Sequence, residues 1–332
     1  MSDTDSAWKF CIAPMIDWTD RHCRFFHRQI TRGARLYTEM IVADAILRGD
    51  RDYLLGFDAV EHPVALQLGG SDPATMAAAA RIGADYGYDE ININVGCPSD
   101  RVQSGAFGAC LMREPQLVAD CFSAMADAVD VPVTVKCRIG VDDQDPEEVL
   151  PGFVDLLAGA GCKVFIIHAR KAWLQGLSPK ANRTIPPLDY DLVYRLKQAR
   201  ADLTIVLNGG ITEPDAAAAH LERIDGVMIG RAAYENPSML GVLDGKLLGL
   251  TAESASRRAV VEAMAAYIER QAQNGVRPHN VARHMLGLFH GQPGARRWRQ
   301  MLTVEGTKPD ADASVLLRAL DRMPAAALEG AA

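Results

Sequence analysis

Short apolar runs recur along the first part of the chain, spaced so that a helix fits between neighbours. They are FCIAPM (10–15), LYTEM (36–40), PVALQLGG (63–70), EININVGCP (90–98), PVTVKCRIG (132–140), KVFIIHAR (163–170), TIVLNGG (204–210) and GVMIGR (226–231). Each is short and rich in Val, Ile or Leu, as expected of parallel strands covered on both faces. Helical stretches separate several of them, for example 73–86, 115–129 and 213–222, with Pro73 placed at a first turn. Eight strand–helix units in about 240 residues predict a (β/α)8 TIM barrel. An open doubly wound sheet is the competitor, but no G-x-G-x-x-G follows the first strand.

Beyond about residue 245 the pattern changes to helical runs only: 253–273, 278–291, 294–306 and a last stretch near 312–329. Gly275, Pro278, Gly291, Pro293 and Pro309 separate them. The expected organisation is a barrel domain over 1–245 and a small C-terminal helical-bundle domain over 246–332.

Composition narrows the class. With 48% hydrophobic and 23% charged residues over 332 positions, the chain is an ordinary globular one, not a disordered, collagenous or coiled-coil one. It has no apolar run long enough to span a bilayer. The opening MSDTDSAWKF lacks a basic stretch followed by an apolar one, so no secretory leader is expected. Seven cysteines without a C-x-x-C pair suggest neither a disulfide framework nor a metal site, and a reducing, cytoplasmic setting is expected. The net charge of −7 by itself argues against a nucleic-acid partner. Its distribution changes that picture: residues 1–250 carry 24 Lys+Arg against 34 Asp+Glu, whereas 251–332 carry 11 against 8. Arg296, Arg297 and Arg299 cluster around Trp298 in this basic tail. They fit either a solvated helix face or a patch for a polyanion.

Polar residues gather at the strand ends, where a barrel keeps its chemistry. Gln67 ends the third run, Asn92 and Asn94 the fourth, Lys136 and Arg138 the fifth, His168 and Arg170 the sixth, Asn208-Gly209-Gly210 the seventh, and Gly230-Arg231 the eighth. One such residue is ordinary; six strands together imply a polar ligand over the barrel mouth. The NGG and GR ends suit a phosphate, and lysine and glutamine suit the edge of a flat heterocycle, which together suggest FMN. Cys97, between Gly96 and Pro98 just past the fourth strand, is placed to act as a general acid. The other six cysteines read as small buried hydrophobes.

The combination APMID, QLGG, NINVGCPSDRVQ, VKCRIG, HAR, LNGGI and MIGR strongly resembles the tRNA-dihydrouridine synthases, over almost the whole chain. The stretch 168–191 is similar to the A subfamily, which the resemblance links to D-loop positions 20 and 20a. It implies an FMN-binding barrel, a helical tRNA-binding domain and NADPH as reductant. Flavin contacts would fall on Pro14, Met15, Ile16, Gln67, Lys136, His168, Asn208, Gly209, Gly210, Gly230 and Arg231, and the proton donor on Cys97. RNA contacts would be Asn94, Lys180, Arg183, Arg296 and Arg299, with Ala106 and Ala181 departing from the bulkier residues expected there. Three other readings compete. They are a flavin barrel acting on a small pyrimidine-like molecule, a phosphate-binding isomerase or aldolase without flavin, and a non-catalytic RNA-binding protein.

Overall fold

The computed structural model describes residues 7–99, 105–250 and 255–328. Asp100–Gln103 of the NVGCPSDRVQ motif, and the outer ends of the runs at 253–273 and 312–329, lie outside the described residues. Eight parallel strands close into a barrel in sequence order: β1 (Phe10–Ile12), β2 (Arg35–Val42), β3 (Val64–Gly69), β4 (Glu90–Val95), β5 (Val133–Arg138), β6 (Val164–His168), β7 (Thr204–Asn208) and β8 (Gly226–Ile229), with β1 also pairing with β8. The (β/α)8 barrel that the spacing predicts is therefore present. Except for β2, which runs on to Val42, the strands are shorter than the apolar runs at their C-terminal ends; Pro14, Gly96, Pro98, Gly209 and Gly210 are among the residues that turn the chain out of the sheet and into the mouth.

Helices start where local chemistry demands it. Asp20, Asp50, Asp72, Asp145, Asp189 and Ser256 each accept a backbone N–H at a helix N-terminus, and Pro73, Pro115, Pro146, Pro214 and Pro278 occupy first turns. Pro115–Ala126 and Pro214–His220 are shorter than the stretches that their composition suggests. The run 278–291 is not one helix either: Pro278–Ala282 passes into a 3₁₀ turn at Arg283–Met285.

Side chains alternate along each strand between two cores. Ile91, Ile93, Val95, Val135, Cys137, Phe165 and Ile167 face the surrounding helices. Cys11, Tyr37, Ala65, Ile166, Val206 and Met228 fill the barrel interior. The floor of that interior is polar. The buried Glu90 carboxylate accepts from Trp8 Nε1 at 2.7 Å, from the Tyr37 hydroxyl at 2.8 Å and from Thr134 Oγ1, and it lies 3.4 Å from Arg35 Nη1.

The C-terminal helices pack around Trp298, whose ring meets Phe289 and whose Nε1 donates to Met285 O at 2.8 Å. They are fastened to the barrel through the first helix, Arg21–Arg28. Phe25 stacks on Tyr267 with centroids 3.9 Å apart. The carboxylate of Asp20 accepts from Arg283 Nη2 at 2.8 Å and His284 Nε2 at 3.0 Å, while capping its own helix. The helix Met239–Leu248 runs through position 245 and ends at Gly249 in the left-handed conformation. Among the described residues no helix is long and apolar enough to cross a membrane.

Candidate active site

At the C-terminal end of the barrel lies a cleft of about 400 Å³. Pro14, Met15, Ile16, Gln67, Lys136, His168, Asn208, Gly209, Gly210, Gly230 and Arg231 all line it, together with Asn94, Cys97 and Arg183. The two-residue periodicity of strands explains why Asn94, Lys136 and Arg138 share this interior face while Cys137 does not. Asn92 is one layer too deep to reach the cleft. It is fully buried and held between Gln67 and Thr134. Arg170 has left the interior, and its guanidinium donates to the carbonyl of Pro186 instead.

A row of hydrogen bonds runs from the barrel floor to the backbone of the Cys97 turn. Thr134 donates to Glu90, Asn92 Nδ2 to Thr134 Oγ1 at 2.8 Å, Gln67 Nε2 to Asn92 Oδ1 at 2.7 Å, and Asn94 Nδ2 to Gln67 Oε1 at 2.7 Å. Asn94 Oδ1 then accepts from the backbone N–H groups of Gly96 at 3.1 Å and Cys97 at 3.0 Å. The half-buried Cys97 thus sits on a turn whose backbone is fixed from below. Arg138 fixes it from the side, with Nε donating to Gly96 O at 2.9 Å.

The cleft is cationic. Among the described residues, Lys136, Arg138, Arg183 and Arg231 line it against one carboxylate, that of Asp17. Lys136 Nζ donates to Asn208 Oδ1 at 3.1 Å, and burial, followed by Arg138, pushes its pKa down to about 8. A lysine depressed in this way costs stability while it is charged, below about pH 8, and the cost fades as pH rises towards the ordinary 10.5. Burial also takes Arg138 down to about 10, still charged at neutral pH. Burial and the neighbouring Arg138 and Lys136 hold His168 well below the usual histidine range, so its imidazole is neutral. A concentration of positive charge in an acidic protein fits an anionic ligand.

The glycines fit the same ligand. Gly209 and Gly210 have φ of +111° and +71°, and a Cβ on Gly209 would stand 2.5 Å from His168 Cδ2. At Gly230 a Cβ would meet nothing closer than Ala13 Cβ at 3.7 Å, so the missing side chain leaves open space in the cleft beside Arg231. Such a pairing of bare backbone and guanidinium suits a phosphate. Among the described residues no group of three or more His, Cys, Asp or Glu is arranged to hold a metal.

The predicted RNA contacts fall in three places. Asn94 and Arg183 line the cleft, and Lys180 is exposed on the excursion between β6 and the helix Tyr190–Ala199, close in sequence to Pro179 at the rim. Arg296 and Arg299 are exposed on the helix Ala295–Val304, whose other face buries Trp298, Met301 and Leu302. Neither arginine lines the cleft. Ala106 adopts φ +56°, and Ala181 opens the 3₁₀ turn Ala181–Arg183. Sequence reasoning passed over Met40, which the two-residue rule cannot find: β2 is bulged between Tyr37 and Met40, so these two, three residues apart, both face inward. It also missed Asn182, a fully buried loop residue that no periodicity marks.

Comparison with known proteins agrees with this geometry. The family model described as dihydrouridine synthase (Dus) matches residues 11–323. A Xanthomonas campestris protein named tRNA-dihydrouridine(20/20a) synthase is 55% identical over 314 residues, covering 95% of this chain and 93% of its own length. Proteins of the same name from Escherichia coli K12 and Shewanella oneidensis are 56% and 57% identical, over 96% and 92% of this chain and 92% and 91% of their own lengths. A solved old yellow enzyme homologue from Zymomonas mobilis shares the barrel fold, with a TM-score of 0.51 at 14% identity over 70% of this chain and 86% of that one. With its family pattern running from β1 into the last helices, the chain belongs to the dihydrouridine synthase family.

Proposed function

We propose that this protein is an FMN-dependent tRNA-dihydrouridine synthase. It reduces the C5–C6 bond of uridines 20 and 20a in the tRNA D-loop, in the cytoplasm, with NADPH as reductant. The observation that carries the reading is the convergence of Cys97 with a cationic, glycine-edged mouth in one cleft. The names of the relatives support the choice of substrate. In this reading the barrel, residues 1–245, is the catalytic part and residues 246–332 hold RNA.

Arg231, Gly230 and the Asn208-Gly209-Gly210 turn would hold the FMN phosphate, and Gln67, Lys136, His168, Pro14, Met15 and Ile16 would hold its ring system. When bound, the reduced flavin supplies a hydride for C6 of the uracil ring. The uridine must leave the RNA stack to reach the cleft. Lys136 and neutral His168 hold the reactants in place. Cys97 gives the thiol proton to C5 and recovers one from solvent. Asn94 acts on the substrate through the turn it holds. Arg183, Lys180, Arg296 and Arg299 bind the RNA backbone.

Three outcomes test the reading. The purified protein should be yellow, with one FMN per chain, bleached by NADPH and recoloured by unmodified tRNA, which ends up containing dihydrouridine. Arg231→Ala should weaken FMN binding by about 1.5–3 kcal/mol, the worth of a charge-assisted contact, measured by flavin fluorescence titration. A protein that takes up no FMN overturns the proposal. Arg296→Glu combined with Arg299→Glu should weaken tRNA binding and flatten its dependence on salt, since the two side chains share a helix face. Unchanged affinity would return both to a solvated surface.

A further inference from the structure

Trp173 stands out among the four tryptophans. It is 38% exposed, whereas Trp8 and Trp298 are buried and Trp18 stacks on Tyr234 with centroids 4.3 Å apart. It belongs to the excursion between β6 and the helix Tyr190–Ala199. From Ala169 to Leu188 that excursion carries Arg170, Lys171, Lys180 and Arg183 and no acidic residue. The same excursion supplies Pro179 and Arg183 to the cleft.

The backbone under the exposed ring is held on every side. The buried Asn182 side chain clasps Trp173, its Oδ1 accepting from Trp173 N at 2.8 Å and its Nδ2 donating to Trp173 O at 2.9 Å. Arg138 Nη1 donates to Lys171 O and Asn182 O, each at 3.0 Å. Ala172 N donates to Gly140 O at 3.0 Å, and Leu174 N to Asp142 Oδ1 at 2.8 Å. Because the same guanidinium also holds Gly96 O, a single side chain separates this segment from the Cys97 turn. Above the fixed backbone, Lys171 Nζ sits 5.6 Å from the indole centroid.

A large exposed ring on a fixed backbone, flanked by cations and free of nearby acids in sequence, suits a partner with flat π-faces joined by phosphates. Bases unstacked from an RNA loop are such a partner, and rigidity lowers the entropy lost on stacking. We infer that Trp173 is a stacking platform for a base next to the target uridine, with Lys171 and Lys180 taking the adjoining phosphates. The inference rests on the tRNA reading above and adds to it a specific subsite.

The test titrates the full-length protein with an unmodified tRNA transcript and follows tryptophan emission and affinity. Wild type should show quenching that is absent from Trp173→Phe. Trp173→Ala should weaken binding about 5- to 100-fold, as loss of one stacked base does, with the salt slope unchanged. Trp173→Phe should restore most of the affinity and Trp173→Leu should not. Equal quenching in wild type and Trp173→Phe, undiminished affinity in Trp173→Ala, or equal rescue by leucine would each overturn the platform while leaving the tRNA reading intact. If wild type shows no salt-dependent binding of tRNA, both fall together.

Discussion

Cys97→Ala is expected to cut dihydrouridine formation in tRNA about 10²–10⁴-fold, the usual contribution of a positioned general acid. The thiol lines the cleft on a turn fixed by Asn94 and Arg138, neither of which depends on the sulfur atom. The variant should therefore keep its fold, its yellow colour and its bleaching by NADPH at a near-normal rate. The loss should be confined to the tRNA half of the cycle. Stopped-flow absorbance times the two halves separately. Cys97→Ser should be nearly as slow, because a hydroxyl is a far weaker acid than a thiol. A normal rate of uridine reduction in the alanine variant would remove the acid role. Loss of flavin or precipitation would show that the cysteine serves packing.

The largest effect on stability is expected at the opposite end of the barrel. Glu90→Leu should lower unfolding free energy by about 3–5 kcal/mol, read from urea denaturation at neutral pH. The carboxylate is fully buried and answers Trp8 Nε1, the Tyr37 and Thr134 hydroxyls and the charge of Arg35. Leucine would leave the buried Arg35 guanidinium without its counter-charge and three donors without an acceptor. Glu90→Gln, which keeps an oxygen but not the charge, should cost less. Equal stability of the leucine variant would mean that water can enter the barrel floor.

The fold was legible because a parallel barrel repeats one signal eight times, and every apolar run coincides with a strand. The mouth was legible from the strand period, which put Asn94, Lys136 and Arg138 on one face. The period says nothing of depth, so Asn92 and Asn94 looked alike until their layers were seen. It fails altogether once a strand has ended. Arg170 lies beyond β6 and turns away, and Asn182 and Trp173 meet only because an irregular loop folds back on itself. The roles of Lys180, Arg183, Arg296 and Arg299 towards RNA were suggested by family likeness, since exposed arginines on a helix carry no mark of their partner.

The hydrogen-bonded row between Glu90 and Cys97 has a direction. It ends on a carboxylate, which can only accept, so every amide above it points its N–H downward. At the top, both N–H groups of the thiol turn are consumed by Asn94, and the Cys97 carbonyl is taken by Ala109 N at 2.9 Å. A cysteine that forms acyl intermediates needs free amide donors beside it to receive an oxyanion. These two point away from that duty. Among the described residues, the two amides beside the sulfur are thus not available as oxyanion donors, which fits the proton donor proposed for Cys97 better than a cysteine that forms acyl intermediates.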